Sequence, residues 1–230
     1  MNASVVLLNH KMPSRNIVKS YIEEGYYHIY NRGVEKRIIF EDEDDCRIFL
    51  HYIMIYLSPI EEVLKTYSDN VRIRRFIRLN LSEEVDLLCF SLMPNHFHFL
   101  IKQNSKDGIV KFMRRLMTSY VMYFNKKYDR VGTLLQSRYK AVNVDKDEYL
   151  LHLTRYIHLN PFEINSNINF KEFSSYQYYL GTRHPSWIKP EKILEYFSIK
   201  GEEYKVSSYK SFVEDSLIDS SGILEGLTID

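Results

Sequence analysis

The chain has 230 residues, of which 45% are hydrophobic and 27% charged, and its formal net charge is +1. This length is enough for one sizeable domain, alone or with an appendage, and the absence of an apolar run of about 20 residues excludes a membrane span. The N-terminus lacks the features of a signal peptide. The two cysteines, Cys46 and Cys89, form no disulfide framework. We therefore expect a cytoplasmic globular protein without membrane contact.

The elements predicted from hydrophobic periodicity alternate between strands and helices. In chain order they are a strand from Gly25 to the loop at Gly33, a helix over 41–58, strand regions over 77–93 and 96–103, a helix over 107–128, a strand within 132–144, and a helix from about Lys146 to Leu159 or Asn160. Asp145 and Glu148 match the pattern of a capping box at the start of the last helix. The order β-α-β-β-α-β-α indicates an α+β fold, an antiparallel sheet with helices mainly on one face.

The predicted elements divide the chain into three segments. Residues 1–20 are an N-terminal extension, residues 21–185 form the main domain, and residues 186–230 form a small helical C-terminal extension whose role is open.

Charge is unevenly distributed along the chain. Residues 102–146 contain eleven Lys or Arg and three Asp, whereas residues 186–230 contain five Lys and nine acidic residues. A basic middle suggests a site for a polyanion, although charge runs usually mark a solvated helix face.

The segment "MPNHFHFLIKQ" places two histidines in an apolar strand. Successive side chains of a strand point to opposite faces, so His96 and His98 share one face, roughly 7 Å apart along the strand. They can converge on one cation or reach one phosphate. The alternative, two core histidines with satisfied hydrogen bonds, stays open without a third partner.

The last predicted helix offers such a partner. Tyr156 and Asn160 are four residues apart and lie on one helix face. Two imidazoles and one amide oxygen leave coordination positions open for phosphate and water. Asn160 can equally be a helix end before Pro161.

Two motifs then resemble a known family. "HFHFL" resembles the histidine-hydrophobe-histidine motif of single-tyrosine HUH endonucleases, and "YIHLNP" resembles the catalytic-helix motif of REP-associated tyrosine transposases, relatives of insertion-sequence transposases. "YYHIYNRG", "GTLLQSRYK" and "FSSYQYYLG" also resemble segments of that family. Many insertion-sequence relatives carry Gln at the position of Asn160, and the shorter Asn requires a closer approach of the helix.

The resemblance implies a ferredoxin/RRM-like HUH nuclease fold that cleaves single-stranded DNA, with a hairpin as one form of substrate. It implies that His96, His98 and Asn160 bind Mg²⁺ or Mn²⁺, and that Tyr156 is the nucleophile. Attack by Tyr156 would give a 5′-phosphotyrosine and a free 3′-hydroxyl, which a second strand can rejoin. Relatives act as monomers or as homodimers, and both states stay open here.

Basic side chains are expected to contact the DNA backbone. The long basic helix is the candidate surface, and two arginines outside it are candidates for flanking phosphates. These residues are Arg114, Arg115, Lys126, Lys127, Arg138 and Arg155. Any one of them can instead be an ordinary surface residue.

Two rival functions belong to other classes. A non-cleaving nucleic-acid-binding module of RRM-like fold would turn Tyr26, Tyr30, His96 and His98 toward bases. A metal-dependent phosphohydrolase with water as the nucleophile would need more carboxylates near the histidines than the sequence suggests.

Overall fold

A four-stranded antiparallel sheet forms the centre of the protein, seen in a computed structural model that describes residues 21–67, 78–182, 184–197 and 206–214. The predicted N-terminal extension, residues 1–20, lies outside the described residues. The strands are β1 (Tyr26–Arg32), β2 (Val85–Met93), β3 (His96–Gln103) and β4 (Lys140–Val144), in the order β2-β3-β1-β4. The hairpin between β2 and β3 is the predicted turn at Pro94 and Asn95.

Helices flank the sheet in the described part of the chain. They are α1 (Glu43–Leu57), α2 (Ile60–Thr66), α3 (Gly108–Lys127), α4 (Asp147–Leu159), α5 (Tyr176–Tyr179), α6 (Glu191–Leu194) and α7 (Val206–Glu214), with short 3₁₀ segments between some of them. No helix in these ranges combines the length and apolarity needed to cross a membrane.

The first face of the sheet carries the larger core. The odd-numbered residues of β3, including Phe97 and Phe99, pack under α1 and α3 together with Phe49 and Phe112. Alternation along the strand directs these aromatic rings away from the histidines. The two long helices therefore share one face, and the α+β fold with an antiparallel sheet is confirmed.

The second face is covered by α4 and the C-terminal elements. Leu100 of β3 packs there with Leu153 and Ile157 of α4 and with Tyr209 of α7. α4 contacts β2, β3 and β4. Because the even-numbered residues of β3 point to this face, α4 lies over the side of the sheet that carries His96 and His98.

The N-terminal end of α4 is not capped in the way that the sequence predicts. The N-cap of α4 is Lys146, which makes no side-chain capping bond. The prediction of a capping box at Asp145 and Glu148 is therefore wrong. Asp145 lies one residue before the N-cap, where its side chain does not cap the first turn. A capping box forms instead at α1, where Asp42 and Asp45 accept each other's backbone N–H.

Candidate active site

The two histidines of β3 face α4, as strand alternation predicts. His98 is fully buried and His96 is half-buried. Their ring centroids are 5.0 Å apart with an interplanar angle of 82°. The pair therefore presents two adjacent imidazoles to the region between the second face of the sheet and α4, which is called the pocket below.

A third histidine supports the pair from the neighbouring strand. Nε2 of His28, on β1, lies 2.9 Å from Nδ1 of His98, and both side chains are fully buried. Nε2 of His98 is buried and has no hydrogen-bond partner among the described residues. Burial lowers the pKa of His98 well below its ordinary value, and the nearby His28, His96 and Arg32 add to this effect. His98 is thus a neutral imidazole with one nitrogen engaged and the other available.

The orientation of His96 is set by the turn that precedes it. Nδ1 of His96 lies 2.6 Å from Oδ1 of Asn95, and Nδ2 of Asn95 donates to the backbone carbonyl of Lys36 at 3.1 Å. Because the amide nitrogen already donates, its oxygen is the acceptor for the imidazole N–H. This assigns the proton of His96 to Nδ1 and leaves Nε2 as the nitrogen with a lone pair.

Tyr156 lies over the same pocket. Its ring centroid is 5.5 Å from that of His98 at an angle of 88°, and 6.5 Å from that of His28. The backbone N–H of Asn160 donates to the carbonyl of Tyr156, so the helix is regular between the two residues and places them on one face. Nδ2 of Asn160 is buried and has no partner among the described residues.

These side chains carry the kinds of donor atom that a divalent metal binds. Among the described residues, Nε2 of His98 is buried without a partner, and Asn95 holds the Nδ1 proton of His96. The amide of Asn160, whose Nδ2 is buried without a partner there, can present its oxygen by a half-turn of the group. Imidazole nitrogen suits Mn²⁺ or Zn²⁺ better than Mg²⁺, and oxygen ligands suit all three. In the described residues no group of three or more His, Cys, Asp or Glu side chains is arranged to hold a metal. A ligand set here would therefore be two imidazoles and one amide.

α4 is anchored by a buried polar network around His158. Nδ1 of His158 lies 2.7 Å from the hydroxyl of Tyr209, and Nε2 lies 2.7 Å from Oγ of Ser175 and 3.2 Å from Sγ of Cys89. Burial lowers the pKa of His158 to about 3, so the ring is neutral. The network joins α4 to β2 and α7 and fixes the helix that carries Tyr156.

The predicted DNA-contacting residues lie in different places. Arg114 and Arg138 are exposed and line one groove of about 940 Å³ along α3, on the side of the sheet away from the histidines. Lys126 is exposed. The other three have contacts within the protein: Arg115 donates to the carbonyl of Leu79, Lys127 pairs with Asp42 and Asp45, and Arg155 is 5% exposed and donates from Nε to the carbonyl of Val213.

Sequence reasoning missed His28, Arg32 and Lys140, which lie on the same face of the sheet as the histidine pair. His28, Tyr30 and Arg32 of β1 point to the same face as the histidine pair, and Lys140 of β4 lies beside Tyr30. The signal was a second run of alternating residues, His28, Tyr30 and Arg32, with the same two-residue spacing as the histidine pair. Only the strand order shows that this run adjoins β3.

Comparison with known proteins identifies the family. The family model described as transposase IS200 like matches residues 21–160. The match spans more than half of the chain, so the chain belongs to this family of IS200-like transposases, and its function is transposase-like DNA processing. The predicted family resemblance is thereby confirmed.

Structural and curated comparisons add less. A solved structure of a REP-associated tyrosine transposase bound to a REP hairpin is similar at 13% identity and a TM-score of 0.45, over 75% of this chain and 90% of that chain. No curated protein matches the chain.

Proposed function

We propose that the protein is a metal-dependent single-stranded DNA endonuclease and strand transferase in which Tyr156 is the nucleophile. The observation that carries this proposal is the contact between the Tyr156 ring and His98, whose Nε2 is buried without a partner in the part of the chain that the structure describes. An attacking phenol and a nitrogen ligand thus share one pocket. A phosphate held there would lie within reach of both.

The chemistry follows from the groups in the pocket. The oxygen of Tyr156 bonds to the scissile phosphorus, the bond from phosphorus to the 3′-oxygen breaks, and the leaving oxygen ends as a 3′-hydroxyl. The covalent 5′-phosphotyrosine retains the phosphodiester energy, so another 3′-hydroxyl can reverse the step. Bound by His96, His98 and Asn160, Mg²⁺ or Mn²⁺ would supply positive charge beside the phosphate. His28 and Asn95 engage the Nδ1 atoms of His98 and His96, so Nε2 is the atom of each ring that would bind the metal.

DNA contacts away from the pocket are proposed at the groove of Arg114 and Arg138. Two exposed guanidinium groups on one concave surface suit the sugar-phosphate backbone. The groove also contains the rings of Tyr21 and Tyr139, which can stack on unpaired bases. The proposed substrate is single-stranded DNA, tested first with a hairpin beside the cleavage site.

The rival RRM-like module receives little support from the fold. Such a module stacks bases on an open sheet, but here helices cover both faces, and Tyr30 is only 4% exposed. Tyr26 packs against the core cluster beneath α4. The rings of Tyr26 and Tyr30, which the rival function would need for stacking on bases, are therefore covered by other parts of the protein.

A denaturing gel tests the proposal. A 3′-labelled oligonucleotide incubated with the protein and Mn²⁺ should give labelled protein, because the 5′-phosphotyrosine holds the downstream fragment, whereas a 5′-labelled one should release a free fragment. Tyr156→Phe should abolish both products. Tyr149→Phe, a tyrosine two turns earlier on α4, is the matched control and should retain them. Cleavage that persists in Tyr156→Phe would support hydrolysis by water, and binding without cleavage would support the RRM-like module.

A further inference from the structure

We propose that Arg32 binds the scissile phosphate, so that a phosphate subsite built on β1 lies beside the histidine pair. This inference rests on the proposed function and names a residue that the two motifs do not contain. Arg32 is paired with His96 across the β1–β3 ladder. Directly opposed residues of an antiparallel pair point to the same face, so the side chain of Arg32 leaves the sheet on the same face as the imidazole of His96.

The guanidinium has a donor that the protein leaves unsatisfied. Nε of Arg32 is buried and has no hydrogen-bond partner among the described residues. Leaving a buried N–H of a charged side chain without a hydrogen-bond acceptor costs folding free energy. A phosphate in the pocket would accept from Nε and from a terminal nitrogen together, in the forked geometry that arginine offers.

The charge of Arg32 has no carboxylate partner in the described ranges, unlike the charges of several lysines. Lys111, Lys127 and Lys192 each form an ion pair with a carboxylate. Within the described ranges Arg32 forms none.

A second cation extends the subsite along the sheet. Lys140 of β4 is paired with Tyr30 of β1, and its Nζ lies 5.7 Å from the centre of the Tyr30 ring. Lys140, too, has no carboxylate partner in the described part of the chain. Tyr30 is in turn paired with His98. Two unneutralised cations thus border the histidines on the β1 and β4 side, which is the charge pattern that a phosphodiester requires.

The test measures DNA binding by protein that cannot cleave. In a Tyr156→Phe background with Mn²⁺, Arg32→Gln should bind single-stranded DNA about tenfold to a hundredfold more weakly, the range expected for a charge-assisted hydrogen bond. Arg47→Gln is the matched control, because Arg47 is an exposed arginine on α1 that pairs with Glu43 and Asp44. It should change binding less than about twofold.

Oligonucleotides with one neutral methylphosphonate at successive positions locate the contact. The effect of Arg32→Gln should vanish when the scissile phosphate, located from the cleavage products of the unsubstituted protein, is neutral, and it should persist at all other positions. Arg32→Lys, which keeps the charge but loses the fork, should show a smaller loss that vanishes at the same position, and it replaces Arg32→Gln if that variant does not fold. Unchanged binding, or a loss that is not removed by the methylphosphonate at the scissile position, would overturn the inference.

The results distinguish a failure of the Arg32 proposal from a failure of the proposed function. The proposed function fails if the unsubstituted protein forms no covalent adduct through Tyr156. The role of Arg32 is measured by binding alone, and adduct formation together with wild-type binding by Arg32→Gln would overturn only that role.

Discussion

Replacing His158 by alanine should destabilise the protein far more than the same replacement at His152 on the same helix. His158 is fully buried and joins α4 to Tyr209 of α7 and to Ser175, whereas His152 is half-buried beside Phe212. Both variants remove one imidazole from α4. The comparison therefore isolates the buried network from helix propensity.

The loss in free energy of unfolding expected for His158→Ala has two sources. Ser175 keeps its hydrogen bonds to the backbone of Phe90, so its hydroxyl is not stranded. The lost hydrogen bonds then contribute roughly 1 kcal/mol. The cavity left by a fully buried ring adds roughly 2 kcal/mol. We expect a loss of about 3 kcal/mol for His158→Ala and about 1 kcal/mol or less for His152→Ala.

Urea unfolding followed by circular dichroism measures both free energies. The two variants should share the slope of the parent protein and differ in their midpoints. Equal midpoints for His158→Ala and His152→Ala would refute the view that this network anchors the helix carrying Tyr156.

Three further outcomes are expected. Lys127→Met should lower the free energy of unfolding by about 2 kcal/mol, because it strands a fully buried carboxylate of α1, whereas Lys126→Met should change it by less than about 0.5 kcal/mol in the same urea titration. Asn95→Ala should weaken Mn²⁺ binding about tenfold in calorimetry, since it releases the ring of His96, and unchanged affinity would argue against that role. Arg114→Gln should reduce the slope of log DNA affinity against log salt concentration by about one. An unaltered slope would show that Arg114 does not contact a phosphate of the DNA.

Local periodicity was enough to predict the two main parts of the site. The strand period of two places His96 and His98 on one face, and the helix period places Tyr156 and Asn160 on another. That the two faces meet was a prediction from family resemblance, and the ring contact between Tyr156 and His98 bears it out geometrically. Their roles in binding metal and attacking DNA stay predictions.

Contacts between distant segments lay beyond sequence reasoning. The neighbours of His98 depend on strand order, which places β1 between β3 and β4, so His28 and Arg32 were not recognised. Lys127 was expected to face DNA, but two carboxylates more than 80 residues earlier in the chain neutralise it. Arg155 was expected to hold a phosphate, and it is instead covered by α7, whose docking no local pattern reveals.

The most direct test of the central claim is the identity of the residue that becomes joined to DNA. Tryptic digestion and mass spectrometry of the adduct formed with Mn²⁺ should locate a 5′-linked nucleotide on Tyr156, and the released strand should end in a 3′-hydroxyl. A nucleotide on any other residue, or cleavage with no covalent intermediate at all, would contradict the account.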